Sequence, residues 1–475
     1  MIAQAASDTS PIHHAEERAI LTVTCLAAFL FFNSFGSIGV ALPVIQRQFG
    51  NSLSEIQWIT LMGVVTISSL SFCFGRAGGR FGQKRLYKIG VAFYAGGAGL
   101  AAISTSFLQL LGSRAVMALG LAMALPMSTA ILAASFAPER RGRVLGLFAS
   151  AVAIGRMTGP AIGGLLLHLG GWPWIFWMNF IVGFGVAVAV SRIFRGPGEI
   201  RRETFDIGGA LALLVGYPAL LIGLTFGASL GWLSLPVLAA ILVAAVGLAS
   251  FVWIELHCAK PLIDVAIFKQ HMLAAALLTV VCSNMLSQPI ALAAPLYLQN
   301  VLGMTAIPSG LLLAVMPLAT ALASPISGRL ADRFDAGMVS NIGMAMIVTG
   351  IACYSRLGTA SGLAVVVVVL ALLGGGIGFF TPANQKIAFA SVHQEDFGVL
   401  AAMLSSFGTA AGTVGTTIAV ALMEISGRPR LWTDAAALTS AQQFAFACLV
   451  PVGLLALIIG LGSGRGARPN VASKD

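Results

Sequence analysis

Two arginines stand inside long apolar runs of the sequence, where charged side chains are rare. Arg156 lies about twelve residues from either end of the run 144–167, and Arg114 lies about one helical turn inside the run 110–135. A central arginine costs about 2.5–3.5 kcal/mol on membrane-insertion scales, so it is expected to face a cavity or a partner. None of the Asp and Glu residues lies deep in an apolar run. Arg156 is therefore predicted to meet an anionic or hydrogen-bond-accepting ligand.

Each arginine also has a purely structural explanation. Backbone carbonyls together with Asn and Gln side chains can satisfy the five N–H donors of Arg156. Arg114 is about 6 Å from the end of its run at 1.5 Å per residue, so its guanidinium can reach the membrane surface. The sequence leaves both alternatives open.

Uncharged polar side chains inside the runs are further candidates for ligand contact. They are Asn33, Asn284, Gln288, Asn384 and Gln385. Asn284 and Gln288 are four residues apart and share one helix face. For each of these side chains an interhelical hydrogen bond is the simpler explanation.

A row of small residues marks the fifth apolar run. It contains Gly155, Gly159, Pro160, Gly163 and Gly164. Small residues four apart let helix backbones approach closely, and a proline inside a helix removes a hydrogen bond and can bend it. The row therefore predicts either a gating contact or plain helix packing, because both need the same residues.

Two basic loops share the pattern G-R-x-x-x-R-F. One holds Arg76 and Arg80, and the other holds Arg329, Asp332 and Arg333. Asp332 is expected to pair with Arg329 or Arg333 in one access state and to release it in the other, as a cytosolic latch. The alternative is that these charges only determine membrane orientation.

Composition identifies the kind of protein that positions these residues. Of 475 residues, 58% are hydrophobic and 9% are charged, whereas soluble proteins carry about 25% charged residues. Glycine is abundant, with 55 residues, and the six cysteines have no framework spacing. A soluble protein, a nucleic-acid-binding protein and a disulfide-stabilised secreted domain are therefore excluded, and a polytopic membrane protein is predicted.

Fourteen apolar runs are long enough to cross the hydrocarbon core as helices, which needs about 20 residues each. They are 20–45, 56–75, 87–106, 110–135, 144–167, 174–194, 207–227, 235–254, 272–298, 306–327, 337–355, 361–385, 398–423 and 441–463. These runs are too long and too continuously apolar for barrel strands. The predicted fold is all-α, with 14 transmembrane helices.

The distribution of Lys and Arg predicts the orientation. Twenty-one lie in loops and tails on one side and four on the other, and Arg114 and Arg156 complete the 27. The basic side is expected to be cytoplasmic, so both termini are cytoplasmic and the net charge of +10 is an insertion signal. No cleaved signal peptide is expected at the N-terminus.

The basic loops and the glycine rows recur eight helices apart, which predicts two six-helix halves with two helices inserted between them. Repeated halves that enclose a midplane site are the usual architecture of secondary transporters. The expected divisions are a cytosolic tail 1–19, an N-terminal half 20–194, a linker 195–206, inserted helices 207–254, a linker 255–271, a C-terminal half 272–463 and a tail 464–475.

Over nearly its whole length the chain resembles the fourteen-helix drug:proton antiporter family of the major facilitator superfamily. The loop motif G-x-L-a-D-R-x-G-R-K is degraded at 75–84 and well kept at 328–333, and the helix-5 motif G-x-x-x-G-P-x-x-G-G stands at 155–164. Segments 137–143, 171–179, 261–264 and 295–299 also match, and Arg114 matches the family's helix-4 arginine.

The resemblance implies export of drugs or toxins by alternating access, since the helix-5 motif is associated with export. Two positions depart from the family. Ser34 stands where the family has a membrane aspartate in helix 1, the expected partner of Arg114 and proton carrier, and Gly79 replaces the aspartate of the first loop. A proton would then be carried by His168, Glu424 or Glu55 or by the cargo, and transport without a coupling ion is also compatible with the sequence.

The prediction from the sequence is a secondary transporter that exports a small amphiphilic compound, neutral or anionic. The alternatives are a proton-coupled exporter of lipophilic cations and a transporter-like sensor or scaffold without transport. No enzyme motif and no cluster of metal-ligating histidines is found. We expect no cofactor, no metal and no nucleic-acid partner, and a monomer in the inner membrane of the cell.

Overall fold

The computed structural model describes residues 11–50, 53–194, 207–257, 270–304, 306–426 and 435–464. Within these residues every regular element is a helix, and there is no β-strand. The all-α fold predicted from the apolar runs is confirmed. A helix satisfies its own backbone hydrogen bonds, which is why long apolar segments adopt it in lipid.

The helices are numbered in chain order. The first six are α1 (Pro11–Phe49), α2 (Leu53–Phe81), α3 (Gln83–Ala102), α4 (Phe107–Ser135), α5 (Arg141–Gly170) and α6 (Pro173–Ile193). Two more follow, α7 (Ile207–Leu230) and α8 (Leu235–His257). The remainder are α9 (His271–Ser287), α10 (Ile290–Leu296), α11 (Ala306–Leu313), α12 (Val315–Arg333), α13 (Ala336–Tyr354), α14 (Leu363–Ala390), α15 (Phe397–Ser426) and α16 (Ala435–Gly464). The 3₁₀ turns Pro138–Arg140 and Gln394–Asp396 precede α5 and α15.

Twelve spans in the described part of the chain are long and apolar enough to cross a membrane. Two of them combine consecutive elements, since α9 and α10 form one span and α11 and α12 another. Helices α2 and α3 are not among the twelve, and α3 begins with Lys84, Arg85 and Lys88. Both nevertheless pack inside the bundle, α2 against α4 and α3 against α4 and α6.

Local sequence signals place the ends of several helices. Gly82 and Gly171 adopt positive φ angles of 88° and 79°, which allows the sharp turns between α2 and α3 and between α5 and α6. Ser106 caps α4 by accepting from the Gln109 amide, and Asp335 caps α13 by accepting from the Gly337 amide.

Helix packing repeats along the chain. In the first group, α1–α6, the pairs are α1 with α5, α2 with α4, and α3 with α4 and α6. In the second group, α9–α16, the matching pairs are α9 with α15, α12 with α14, and α13 with α14 and α16. Helices α7 and α8 pack on each other, and α7 contacts α2 and α15.

The two groups meet mainly through α5 with α12 and α2 with α15. Much of this contact lies at one end of the bundle. The connections between α2 and α3, between α4 and α5, between α12 and α13 and between α14 and α15 are all at that end. This end is called the basic end, because it carries most of the described Lys and Arg residues. Both candidate regions described next are built on these helix pairs.

Candidate functional site

Arg156 is exposed although it lies at the middle of α5. One face of α5 packs on α1 through Gly155 and Gly159, and another face packs on α12 through Gly146 and Ser150. At 3.6 residues per turn, Arg156 lies on the helix surface between these two faces. Its side chain is therefore directed between the two groups and not toward lipid. The side chain of Arg156 is therefore accessible between the two groups of helices.

The Arg156 guanidinium stacks on an aromatic ring. Its Cζ atom is 4.8 Å from the ring centroid of Phe32 on α1, a cation–π contact worth about 0.5–2 kcal/mol. Among the described residues Arg156 has no acidic partner. The ring holds the guanidinium in place and leaves its N–H donors available.

The glycine row of α5 brings α1 close enough for this contact. A Cβ at Gly155 would lie 2.5 Å from the carbonyl oxygen of Phe29, and Cβ atoms at Gly159 and Gly163 would meet the α1 backbone as closely. The Cδ atom of Pro160 lies against Gly36, whereas a Cβ at Gly164 would meet nothing within 4 Å. In this conformation the row packs helices within the first group and does not line the boundary between the groups.

Asn33 lies in the same α1–α5 contact. Its amide donates to Thr158 Oγ1 at 3.0 Å, its Oδ1 accepts from Ser37 Oγ at 3.3 Å, and Ser37 Oγ also lies 2.8 Å from the Gly159 carbonyl. Asn33 is fully buried. Its polar atoms are used to join the two helices.

Arg114 is buried on α4, with 3% of its surface exposed, so its guanidinium does not extend to the membrane surface. Its Nε donates to the Ile59 carbonyl at 3.4 Å and its Nη1 lies 3.7 Å from Met117 Sδ. Ser34 is also buried, and within the described residues its Oγ has no hydrogen-bond partner. Arg114 and Arg156 thus have opposite surroundings, one enclosed and one open.

The polar residues of the second group are divided between open and buried positions. Gln288 is exposed and Asn284 half-buried, and both lie against the glycines of α15, Gly412 and Gly408 respectively. Asn384 is buried and donates to the Ala276 carbonyl at 3.0 Å. Of the predicted ligand-contacting residues, Arg156 and Gln288 are exposed, and Arg114, Asn33, Ser34 and Asn384 are buried between helices.

Asp332 closes one side of the basic end. Its two carboxylate oxygens accept from the backbone N–H groups of Gly142 and Arg143, at 2.9 and 2.8 Å, at the start of α5. Lys386 on α14 donates to the same carboxylate at 2.8 Å. A carboxylate at a helix N-terminus is stabilised by the helix dipole. The negative charge of Asp332 on α12 therefore attracts the start of α5 and holds the second group of helices against the first.

In this conformation the described partners of Asp332 do not include Arg329 or Arg333, so their pairing in another access state stays a prediction. Both arginines are exposed. The carboxylate is instead used by the α5 N-terminus and by Lys386, because α12 packs on α5 and α14 and turns Asp332 toward them. The latch therefore joins the two groups rather than the residues of one loop.

Farther from the basic end than Asp332, the contact between α5 and α12 is made by small residues. A Cβ at Gly146 would collide with the Ser324 carbonyl, and Ser150 Oγ donates to the Ala321 carbonyl at 2.8 Å. The contact from Gly142–Asp332 to Ser150–Ala321 is called the aspartate seam. Gly142, Gly146 and Lys386 were not predicted from the sequence, although Gly142, Gly146 and Ser150 are spaced four apart and could have been noticed.

The α2–α15 contact closes the other side, and is called the glycine seam. A Cβ at Gly75 would lie 2.7 Å from the Gly398 carbonyl and 2.9 Å from Ala402 Cβ. At its edge Arg76 forms an ion pair with Asp396 at 3.9 Å. Arg80 stacks on its neighbour Phe81 at 5.4 Å, so of the two predicted arginines of this loop Arg76 is the one whose described ion pair crosses between the groups.

No group of three or more His, Cys, Asp or Glu side chains in the described part of the chain is arranged to hold a metal ion. The described acidic residues of the helices lie near helix ends, as Glu55, Glu255 and Glu424 do. The chemistry available at the middle of the bundle is that of a guanidinium, amides and hydroxyls.

Comparison with known proteins agrees with this architecture. The sequence model of the family described as Major Facilitator Superfamily matches residues 24–256 and 273–472. The chain is 28% identical over 400 residues to the multidrug resistance protein Stp of Mycobacterium tuberculosis, covering 84% of this chain and 74% of Stp. It is 26% identical over 450 residues to the lincomycin resistance protein LmrB of Listeria monocytogenes, covering 93% and 95%. The crystal structure of the human organic anion transporter MFSD10 (TETRAN) superposes with a TM-score of 0.67 at 16% identity, covering 94% of this chain and 99% of that one.

Proposed function

The chain belongs to the Major Facilitator Superfamily, and on that premise we propose that it exports a small amphiphilic compound, neutral or anionic, by alternating access. It is a multi-pass membrane transporter. The names of Stp and LmrB refer to resistance to drugs, which supports export over uptake. The proposal adds the chemical class of the cargo, which rests on the residues of this chain.

The observation that carries the proposal is the accessible guanidinium of Arg156 at the middle of the bundle. It is directed into the space between the groups, it stacks on Phe32, and among the described residues it has no carboxylate partner. A cation without a counter-ion attracts an anionic or hydrogen-bond-accepting group. The Phe32 ring beside it offers apolar surface for the rest of an amphiphilic molecule.

The same charge disfavours lipophilic cations. A buried carboxylate is the group expected to hold a cationic cargo, and the described acidic residues lie near the helix ends. A cation entering this space would be repelled by the positive charge of Arg156. Broad export of cations is therefore the second candidate, favoured by the multidrug relatives alone.

Alternating access would require the basic end to open. In this conformation the aspartate seam and the glycine seam hold the groups together there, and the side chain of Arg156 is accessible between the groups. We propose that this is the state from which cargo has been released outside, and that rocking of 20–194 against 272–463 opens the basic end. The coupling ion is proposed to be a proton carried by His168, Glu424, Glu55 or the cargo, or to be absent.

We further propose fourteen membrane crossings, with both termini in the cytoplasm and the chain a monomer in the inner membrane. The support for counting α2 and α3 is their length of 29 and 20 residues and their packing within the bundle. Reporter fusions at Phe81, Ser104 and Phe136 test this number. Fourteen crossings predict that the fusion at Ser104 reports the opposite side from the other two.

The cargo proposal is tested by thermal unfolding of the purified protein in detergent. Lipophilic cations, neutral amphiphiles and organic anions are each added to the wild type, to Arg156→Gln and to Arg18→Gln. Arg18 is exposed at the start of α1, so its variant removes the same charge away from the site. A ligand that binds only the folded state raises the melting temperature.

We expect anions or neutral amphiphiles to stabilise the wild type and Arg18→Gln, and Arg156→Gln to lose that stabilisation while it still inserts in the membrane. Efflux of the selected compound from cells should fall at least tenfold in Arg156→Gln. Equal stabilisation of all three proteins by cations would refute the proposed cargo class and assign Arg156 to helix packing.

A further inference from the structure

A side-chain contact joins the start of α5 to the start of α15. The Cζ atom of Arg141 lies 5.2 Å from the ring centroid of Phe397, which is within the range of a cation–π interaction. Arg141 belongs to the first group of helices and Phe397 to the second. Among the described residues α5 and α15 make no extended backbone contact. The pair therefore connects two helices that do not otherwise pack on each other.

Both members of this pair are held in place by further contacts. The Nε of Arg141 donates to the carbonyl of Phe136, just after the end of α4, at 3.3 Å. The Phe397 ring is buried, and it packs edge-on against the Phe389 ring of α14 with 4.9 Å between the centroids. The position of the guanidinium over the ring is thus determined from both sides, unlike that of a freely moving surface side chain.

The pair runs from one seam of the basic end to the other. Gly142 follows Arg141 in the chain and is part of the aspartate seam. Gly398 follows Phe397 and packs on Gly75 in the glycine seam. Each member of the pair therefore adjoins the residue by which its own helix takes part in a seam.

The helices of the two seams have little other direct connection. In the first group α2 and α5 make no extended contact, and over the same described part of the chain α12 and α15 in the second group make none. Coupling between distant contacts requires a physical link between the elements that form them. A cation–π pair supplies a link of short range, because the cation must lie within about 6 Å of the ring centroid.

We propose that Arg141 couples the two seams, so that the basic end opens and closes as one unit. Movement of the start of α5 away from α12 draws the guanidinium off the Phe397 ring. The start of α15 then loses a contact that holds it to the first group, and the glycine seam is weakened. Arg141 is a positioning residue that acts through the seams. The coupling rests on the proposed alternating access but not on the identity of the cargo.

Arg140 provides a matched control. It lies next to Arg141, but its described ion pair is with Glu17 of α1, at 3.3 Å, inside the first group. Arg140→Gln removes the same charge at the same end of the bundle and leaves the contact between the groups in place. Phe397→Leu removes the ring but keeps an apolar side chain, so it tests the other member of the pair.

The test follows the two seams separately by thiol labelling of the purified protein in detergent. In a chain whose own cysteines are replaced, a single cysteine is placed at Ser324 for the aspartate seam or at Ala402 for the glycine seam. Both positions are fully buried when the seams are closed. Asp332→Asn then weakens the aspartate seam, and the labelling rate is measured at each position. Gly75→Ala weakens the glycine seam and gives the reverse experiment, which is read at position 324.

With Arg141 present, we expect Asp332→Asn to raise the labelling rate at position 402 by about tenfold or more, because opening of one seam releases the other. With Arg141→Gln or Phe397→Leu in addition, the rate at position 324 should still rise, whereas the rise at position 402 should be below about threefold. Arg140→Gln should leave the response at position 402 unchanged. A residue that only stabilises the closed end would shift both rates and leave the response intact.

The proposal is overturned if Asp332→Asn raises labelling at position 402 equally with and without Arg141. It is also overturned if position 402 does not respond while Arg141 is present, since the seams then open independently. The Arg141→Gln arm decides the question if Phe397→Leu does not fold. Labelling needs no cargo, so either result leaves the export proposal to its own test. Absence of efflux by the wild type would refute export and leave the coupling standing.

Discussion

The two seams at the basic end occupy corresponding positions of the repeated helix packing but are built differently. In the aspartate seam Gly328 of α12 packs on Gly142 of α5, and in the glycine seam Gly75 of α2 packs on Gly398 of α15. Asp332 then adds a charge to the first contact by capping α5. The equivalent position of the second contact is Gly79, where a Cβ would meet nothing within 4 Å.

The difference shows where the closed state is held most strongly. Hydrogen bonds to a charged group contribute about 1.5–3 kcal/mol each, and the carboxylate of Asp332 makes three of them. The glycine seam has close backbone contact and a partly exposed ion pair, Arg76–Asp396, which is worth about 0–1 kcal/mol. We therefore expect the aspartate seam to control opening of the basic end.

The largest effect is expected for Asp332→Asn. The neutral amide keeps the size of the side chain but loses the charge that attracts the α5 N-terminus and Lys386. A loss of about 2–3 kcal/mol shifts the ratio of closed to open molecules roughly 30- to 150-fold. The measurement is thiol labelling of a single cysteine at Ser324, which is fully buried when the seam is closed.

Asp335→Asn is the matched control for this prediction. Asp335 lies in the same loop but caps its own helix through Gly337, so labelling at position 324 should not change. Unchanged labelling in Asp332→Asn would show that the charge does not hold the seam.

A smaller effect is expected for Gly75→Ala. The added methyl group would lie 2.7 Å from the Gly398 carbonyl, and overpacking of this kind costs about 1–3 kcal/mol. The melting temperature should fall by several degrees. Gly79→Ala, one turn later in α2, adds the same methyl group in open space and should leave the melting temperature unchanged. Equal effects of the two variants would contradict the close contact.

Gly79→Asp should make the two seams more alike. A carboxylate at this position corresponds to Asp332 and would face the start of α15, where a helix dipole contributes about 0.3–1 kcal/mol. The melting temperature should rise by about 1–2 °C at low salt and the gain should shrink at high salt. The control is Gly79→Asn, which adds similar volume without charge. A gain of equal size with asparagine would exclude an electrostatic origin.

The smallest effect is expected for Arg76→Gln. Its ion pair with Asp396 spans 3.9 Å and is partly exposed, so the loss should be below about 1 kcal/mol. Thermal unfolding at low and high salt measures it. A loss as large as that of Asp332→Asn would reverse the ranking of the two seams.

The sequence identified residues of both seams but not the residues that they contact across the seams. The loop pattern located Arg76 and Asp332, and the replacement of the first aspartate by Gly79 already indicated that the loops differ. The pairing of Asp332 with α5 and Lys386 joins residues 190 and 54 positions apart. No local pattern specifies contacts of that separation, so they depend on how the helices pack.

The same limit applies to the two arginines. Their position within apolar runs was visible, because the period and length of the runs are local properties. Whether each faces lipid, a neighbour or a cavity depends on which helix faces are buried. Arg156 is exposed between α1 and α12, whereas Arg114 is enclosed, and only the packed bundle distinguishes them.

The most direct test of the account is a cross-link across the aspartate seam. In a chain whose own cysteines are replaced, Ser150→Cys and Ala321→Cys place thiols on α5 and α12 where Ser150 Oγ now contacts the Ala321 carbonyl. The probe is efflux of the compound selected by thermal unfolding, measured before and after oxidation. We predict that bridging the thiols abolishes efflux and that a reductant restores it, while each single-cysteine variant is unaffected. Efflux that continues at the same rate with the bridge formed would contradict transport by opening of the basic end.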